Sequence, residues 1–168
     1  MLTGMLELDK AQAVLYQPIG LKIEGLSKEP ESQDYLASTF RLNKKLVRFR
    51  VAKTTPTKTG QFVTIWKRIG KGPIMPFDIA DDVDLFIINV KSGERLGQFI
   101  FPKEVLCAKD IVSKNSKGGK RAMRVYAPWA NADNAQAKKT QAWQKEYFFE
   151  VVVGKFDTNK LKSLLNYP

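Results

Sequence analysis

The sequence has no histidine and one cysteine, Cys107, among 168 residues. Without histidine, Ser/His and Cys/His catalysis, His-ligated zinc and a histidine switch near neutral pH are excluded. One cysteine cannot close an internal disulfide, which fits a reducing cytoplasm. Cys107 stands among apolar neighbours in EVLCAKD and reads as a buried, inert thiol. Long apolar runs are missing too. None approaches the ~20 residues that span a bilayer. The start, MLTGMLELDK, lacks the basic and then apolar pattern of a secretory signal. The expectation is a soluble, cytoplasmic protein with no membrane partner.

Acidic residues are scarce, and they are segregated. The chain carries 28 Lys and Arg against 17 Asp and Glu, a net charge of +11. No acid falls from Tyr35 to Phe77. Between Arg41 and Lys71 lie ten cations, among them Arg48, Arg50, Lys53, Lys58, Lys67 and Arg68. A second group follows, with Lys114, Lys117, Lys120, Arg121 and Arg124, then Lys138 and Lys139, opposed only by Asp133. Such segregation concentrates polyanions near the surface. Nucleic acid is the expected partner, DNA or RNA, with an acidic protein as the alternative.

The pattern along the chain predicts these elements. A helix covers Leu6 to Tyr16 and stops at Pro18 and Gly20. SKEPESQDYLAS, with Glu29, Glu31 and Asp34, reads as an exposed acidic connection. Asn43-Lys44 reads as a hairpin turn. After it, Val47, Phe49 and Val51 alternate with Arg48 and Arg50, so one strand face is apolar and the other cationic. KTTPTKTGQFVTIWKR reads as a polar loop and a strand with Phe62 and Trp66 on its buried face. DVDLFIINV reads as a strand buried on both sides. KSGER is a turn, LGQFIF the partner strand and PKEVLCAKD a short helix. SKNSKGGKR reads as a flexible cationic loop whose glycines let its backbone approach a phosphate. AMRVYAPW is a strand. A helix follows to about Phe148, capped by Asp133 or Asn131, with Trp143 and Tyr147 one turn apart. EVVVG continues it or makes an edge strand. DTNKLKSLLN is a last helix capped by Asp157 or Thr158. The fold class is α/β (α+β), one domain over 1–168, with a central mixed sheet of about five strands flanked by helices.

Two chemistries are open. In the first, Arg48, Arg50, Lys53, Lys58, Lys67 and Arg68 hold phosphates on one side, and Lys117, Lys120, Arg121 and Arg124 on the other. Thr54, Thr55 and Thr57 supply hydroxyls. Trp66, Trp129, Trp143 and Tyr126 either stack on bases or pack in the core. In the second, the aspartates of DIADDVDLF supply hard oxygen ligands to Mg²⁺, with Asp82 and Asp84 as the candidates. A PD-(D/E)XK nuclease then needs an acid and a lysine two residues apart on the next strand. GQFIFPK offers Gln98 in place of the acid and Ile100 in place of the lysine, leaving Lys103 further on. That constellation is incomplete. Asp84, Gln98 and Lys103 stand as weak catalytic candidates, and no cofactor is expected unless Mg²⁺ serves this nuclease.

STFRLNKKLVRFRVAKTTPTKTGQFVTIWKR, IMPFDIADDVDLFIINV, GQFIFPKEVL, GGKRAMRVYAPW and TQAWQKEYF together resemble the MepB family in order and spacing, over roughly Ser38 to Phe149. The resemblance implies a bacterial, cytoplasmic protein whose gene neighbours a multidrug efflux pump, with a restriction-endonuclease-like core over 38–149. Residues 1–37 then form an N-terminal helix and acidic connection, and 150–168 a C-terminal segment. No catalytic residue transfers with it. The leading expectation is a nucleic-acid-binding protein without turnover. The alternatives are a divergent Mg²⁺-dependent nuclease and a protein-interaction module linked to drug-resistance regulation.

Overall fold

Leu8 and Ala11 recur at helical spacing and are both buried in α1 (Thr3–Ala11). The computed structural model describes residues 3–166. The helix continues as a π-turn (Gln12–Tyr16) that sends Leu15 and Tyr16 into the core, then as a 3₁₀ turn (Gln17–Ile19). It stops at Gly20, whose φ of 83° suits glycine. β1 (Glu24–Lys28) follows inside the segment read as a connection. Its five residues are all exposed, so no apolar alternation announces it.

β2 (Ser38–Leu42) and β3 (Lys45–Val51) form the expected hairpin. Asn43 and Lys44 both take positive φ, the backbone of a two-residue hairpin turn. Four short strands come next: β4 (Lys53–Thr54), β5 (Gln61–Thr64), β6 (Trp66–Lys67) and β7 (Met75–Pro76). Then come β8 (Leu85–Ser92), β9 (Arg95–Pro102) and α2 (Lys103–Ala108). β10 (Ala122–Val125), α3 (Ala135–Gln144), β11 (Phe148–Glu150) and α4 (Thr158–Leu164) complete the order.

The central sheet runs β1-β2-β3-β8-β9-β11. Every neighbouring pair is antiparallel except β3 with β8, where Val47 pairs with Leu85 in parallel. The sheet is mixed and the class α+β, as expected, with six strands in place of about five. QFVTIWKR and AMRVYAPW stay out of it. β5 lies between β10 and β4 in a separate three-stranded sheet, and β6 pairs only with β7.

β8 buries six consecutive residues, Leu85 to Val90, because both its faces are covered. Leu85 and Ile87 join Leu8, Leu15, Phe49, Ile100, Phe149 and Leu161 under α1 and α4. Phe86, Ile88 and Val90 join Val63, Ile65, Phe101, Leu106 and Val125 beneath the three-stranded sheet. Each such side chain stabilises the fold by about 1.5–3 kcal/mol on full burial.

Three local expectations are corrected. In β5 and the residue after it, Val63 and Ile65 are buried while Phe62 and Trp66 are half-exposed on the other side. The cap of α3 is Asn134, whose extended backbone lets its Oδ1 accept from Ala137 N at 2.8 Å, rather than Asp133 or Asn131. Cys107 is half-buried, with Sγ 4.0 Å from Ser113 O. Asp157 caps α4 as expected, accepting from Lys160 N.

Candidate nucleic-acid interface

The aspartates preceding β8 are engaged in backbone architecture. Asp84 Oδ2 accepts from Leu46 N at 2.8 Å, which stitches β8 to β3. Asp81 accepts from Asp78 N and from Lys67 Nζ, at 2.7 and 2.6 Å. Lys103 Nζ donates to Asp81 O. Asp82 is exposed. Gln98 is elsewhere. It pairs across the ladder with Asn89, five positions along β8 from Asp84, and is fully buried. At about 3.3 Å per residue that is about 17 Å. Its Oε1 accepts from the Tyr16 hydroxyl, whose pKa burial pushes up. Asp84 and Gln98 therefore do not converge. Among the described residues, no three Asp, Glu or Cys side chains come together to hold a metal ion. The residues read as a nuclease constellation do not form one site for Mg²⁺.

The cations divide into two groups. Arg48 Nη1 donates to Glu29 Oε1 at 2.7 Å, and Arg50 Nη1 donates to Glu29 Oε2. Arg50 is 2% exposed. Burial lowers its pKa from the ordinary arginine value, and the Glu29 carboxylate opposes that shift. Arg50 is thus a buried partner of Glu29, and its guanidinium does not face solvent as the alternation suggested. Lys67 pairs with Asp81, and Arg68 Nε donates to Glu31 Oε1 at 2.8 Å. The acid-free stretch of sequence is therefore not acid-free in space. Glu29 and Glu31 return from the segment before β2, and Asp81 from the turn before β8.

Lys53, Lys58, Lys117, Lys120, Arg121 and Arg124 form no ion pair among the described residues. Ladder register brings two of them together. Lys53 on β4 faces Phe62 on β5, and Phe62 faces Arg124 on β10. Residues directly opposite point to one side of a sheet. The outer face of the three-stranded sheet thus carries a cation–aromatic–cation row. Arg124 Cζ lies 5.8 Å from the Phe62 ring centroid, and Tyr35 stands 6.2 Å from Phe62 with Lys53 Nζ over it at 5.3 Å. Arg124 is held by Thr55 Oγ1 at 2.6 Å and Thr59 O at 3.2 Å. The threonines read as phosphate donors thus include one that orients an arginine.

The cationic loop after α2 is fastened rather than free. Asp78 Oδ1 accepts from the Ser113 hydroxyl and from Ser116 N, at 2.7 and 2.9 Å, and its Oδ2 accepts from Ala80 N. These bonds hold its carboxyl down to about 2. Asp110 Oδ1 accepts from Gly119 N. Gly119 has φ 85°, and a Cβ there would come 2.7 Å from Pro76 Cβ, so only glycine fits.

Beside the row, a cleft of about 440 Å³ opens between β10, α3 and this loop. Lys109, Lys120, Arg124 and Lys139 line it, with Ile111, Met123 and Trp143, and among the described residues no Asp or Glu does. Arg124 belongs to both cleft and row. The sequence reading missed Lys109 and Tyr35. Tyr35 is recognisable only from its contact with Phe62, and Lys109 only from its place beside Trp143.

A β-rich α+β domain with a separate cationic three-stranded face is the class these features define. The MepB-like family model matches residues 29–150, and the chain belongs to that family. Its structure is similar to the crystal structure of MepB, at 34% identity and a TM-score of 0.74, covering 89% of this chain and 97% of that one. It is also similar to a bacterial homing endonuclease, I-Ssp6803I, at 16% identity and a TM-score of 0.42, covering 84% and 90%. At that score the likeness carries neither fold nor activity to this chain. No curated protein matches the sequence.

Proposed function

We propose that this protein binds nucleic acid, without cutting it, on the outer face of the three-stranded sheet and the cationic loop beside it. One observation carries the reading: Lys53, Phe62 and Arg124 stand in register across three strands, with no carboxylate paired to either cation among the described residues. Cations neutralise phosphates and release their counterions, while a half-exposed ring offers an edge or face to a base. Lys117, Lys120 and Arg121 extend the positive surface along the fastened loop. Arg48, Arg50, Lys67 and Arg68 are neutralised by carboxylates and take a minor part.

Fluorescence anisotropy of labelled DNA and RNA across a salt series tests it. Log affinity should fall linearly with log salt. Lys53→Ala and Lys120→Ala should each reduce that slope by about one, and Arg48→Ala should leave it unchanged. Negligible binding at low salt would sink the reading and favour an acidic protein partner. Mg²⁺-dependent nicking that survives Asp84→Asn would show cleavage from a site other than the one read in the sequence.

A further inference from the structure

The cleft between β10, α3 and the 109–120 loop has a different chemistry from the row beside it. Its floor is apolar and aromatic: Ile111 and Met123 are buried, and Trp143 is half-buried against Phe101 at 5.5 Å between centroids. Its rim carries exposed Lys109, Lys120, Lys139 and Gln136, with half-buried Thr140 and Arg124. None of the four cations forms an ion pair among the described residues. A simple anion would leave the floor unused, and an apolar ligand would leave the three lysine charges without partners. A flat apolar ring joined to a phosphate answers both. The volume of about 440 Å³ lies within the range of small-ligand sites, about 300–1,000 Å³.

We infer that this cleft seats one unpaired nucleotide, its base on the Trp143–Met123–Ile111 floor and its phosphate on the lysines of the rim. The inference rests on the nucleic-acid reading above and deepens it, because it selects the strand type. Bases in a duplex are stacked and paired inward, and reaching a cleft floor requires taking one out of the stack. A single strand offers its bases without that cost. Arg124 links the two surfaces, so a strand lying along the Lys53–Phe62–Arg124 row passes its next nucleotide into the cleft. Lys109 Nζ lies 5.3 Å from the Trp143 centroid. An entering nucleotide exchanges that cation–ring contact for an ion pair with its phosphate and a stack with its base. A nucleoside lacking phosphate can make only half of the exchange.

The experiment compares three probes on the intact protein: a labelled oligothymidylate of about twelve nucleotides, the same strand with abasic positions, and its duplex with oligoadenylate. The intact strand should bind best, and losing the stacked base should weaken binding about 5- to 100-fold. Thymidine monophosphate should quench tryptophan fluorescence, thymidine should not, and Trp143→Phe should remove most of the signal. Trp143 also packs in the core, so Lys139→Glu on the exposed side of α3 serves as an independent variant. It should weaken the intact strand and lower its salt slope. Equal binding of intact strand, abasic strand and duplex would overturn the nucleotide seat. Affinity that still depends on Lys53 in that case would leave the preceding reading standing. No binding by any polynucleotide at low salt would overturn both.

Discussion

Replacing Glu29 by glutamine removes one negative charge from between two arginines. The side chain keeps its size, and the backbone bond from Glu29 N to Ala37 O is untouched. Arg50 is 2% exposed and its Nε has no partner, so the loss leaves a buried guanidinium without a counter-charge. Breaking a buried pair from one side costs about 3–5 kcal/mol. Arg48 is 34% exposed and solvent can satisfy it, so its share is about 1 kcal/mol or less. A total near the lower end, about 3 kcal/mol, corresponds to a fall in Tm of about 6–12 °C for a domain of this size. Urea unfolding at pH 7 reads it directly. Glu31→Gln is the control, because the Arg68–Glu31 pair is exposed on both sides and should cost under about 1 kcal/mol. Combining Glu29→Gln with Arg50→Met should restore most of the loss, since an apolar side chain needs no partner there. If Glu29→Gln costs no more than Glu31→Gln, Arg50 has another source of compensation and its assignment as a buried ion-pair member is wrong.

Asp78 makes a prediction with pH. Its pKa in the folded protein, about 2, lies below the ordinary aspartate value, so its contribution is complete above pH ~4 and disappears as pH falls through 2. Protection of the Ser116 amide, measured relative to its intrinsic exchange rate, should fall across that window, and Asp78→Asn should abolish that change in protection. Gly97→Ala places a Cβ 2.2 Å from Phe148 Cζ, so urea unfolding should show a loss of about 1–3 kcal/mol as the ring is displaced. Tyr16→Phe leaves the buried Gln98 Oε1 without its donor and should cost about 1–3 kcal/mol. Adding Gln98→Met should recover part of it, and no recovery would mean the hydroxyl acts through packing alone.

The hairpin at Asn43-Lys44 and the doubly buried β8 were legible because each has a local signature. One is an Asn-Lys pair between two strand-like runs, the other a run of apolar residues without alternation. β1 left no such trace, since an edge strand with every side chain in solvent has no reason to be apolar. The cationic face was legible in kind and not in membership. Arg48 and Arg50 alternate with apolar residues as surface cations do, yet Glu29 reaches them from another strand's approach. No charge count along the chain contains that pairing. Phe62 and Val63 are both apolar, and only the layer above β8 decides that Val63 goes in and Phe62 out. Lys53 and Arg124 were named from charge alone, whereas their meeting on either side of Phe62 comes from ladder register across β4, β5 and β10.

The lone parallel seam, β3 against β8, has a consequence for the order of assembly. The β2–β3 and β8–β9 hairpins join residues close in sequence and can form early. The seam must wait for the whole segment from β4 to β7 to be looped out, and such non-local pairing is slow. That looped segment supplies Lys53 and Phe62, while Arg124 comes from β10, further along the chain. An incompletely folded chain therefore has the charge but not the row. The register of Lys53, Phe62 and Arg124 is thus a property of the finished fold, whereas the net charge belongs to the chain in any state.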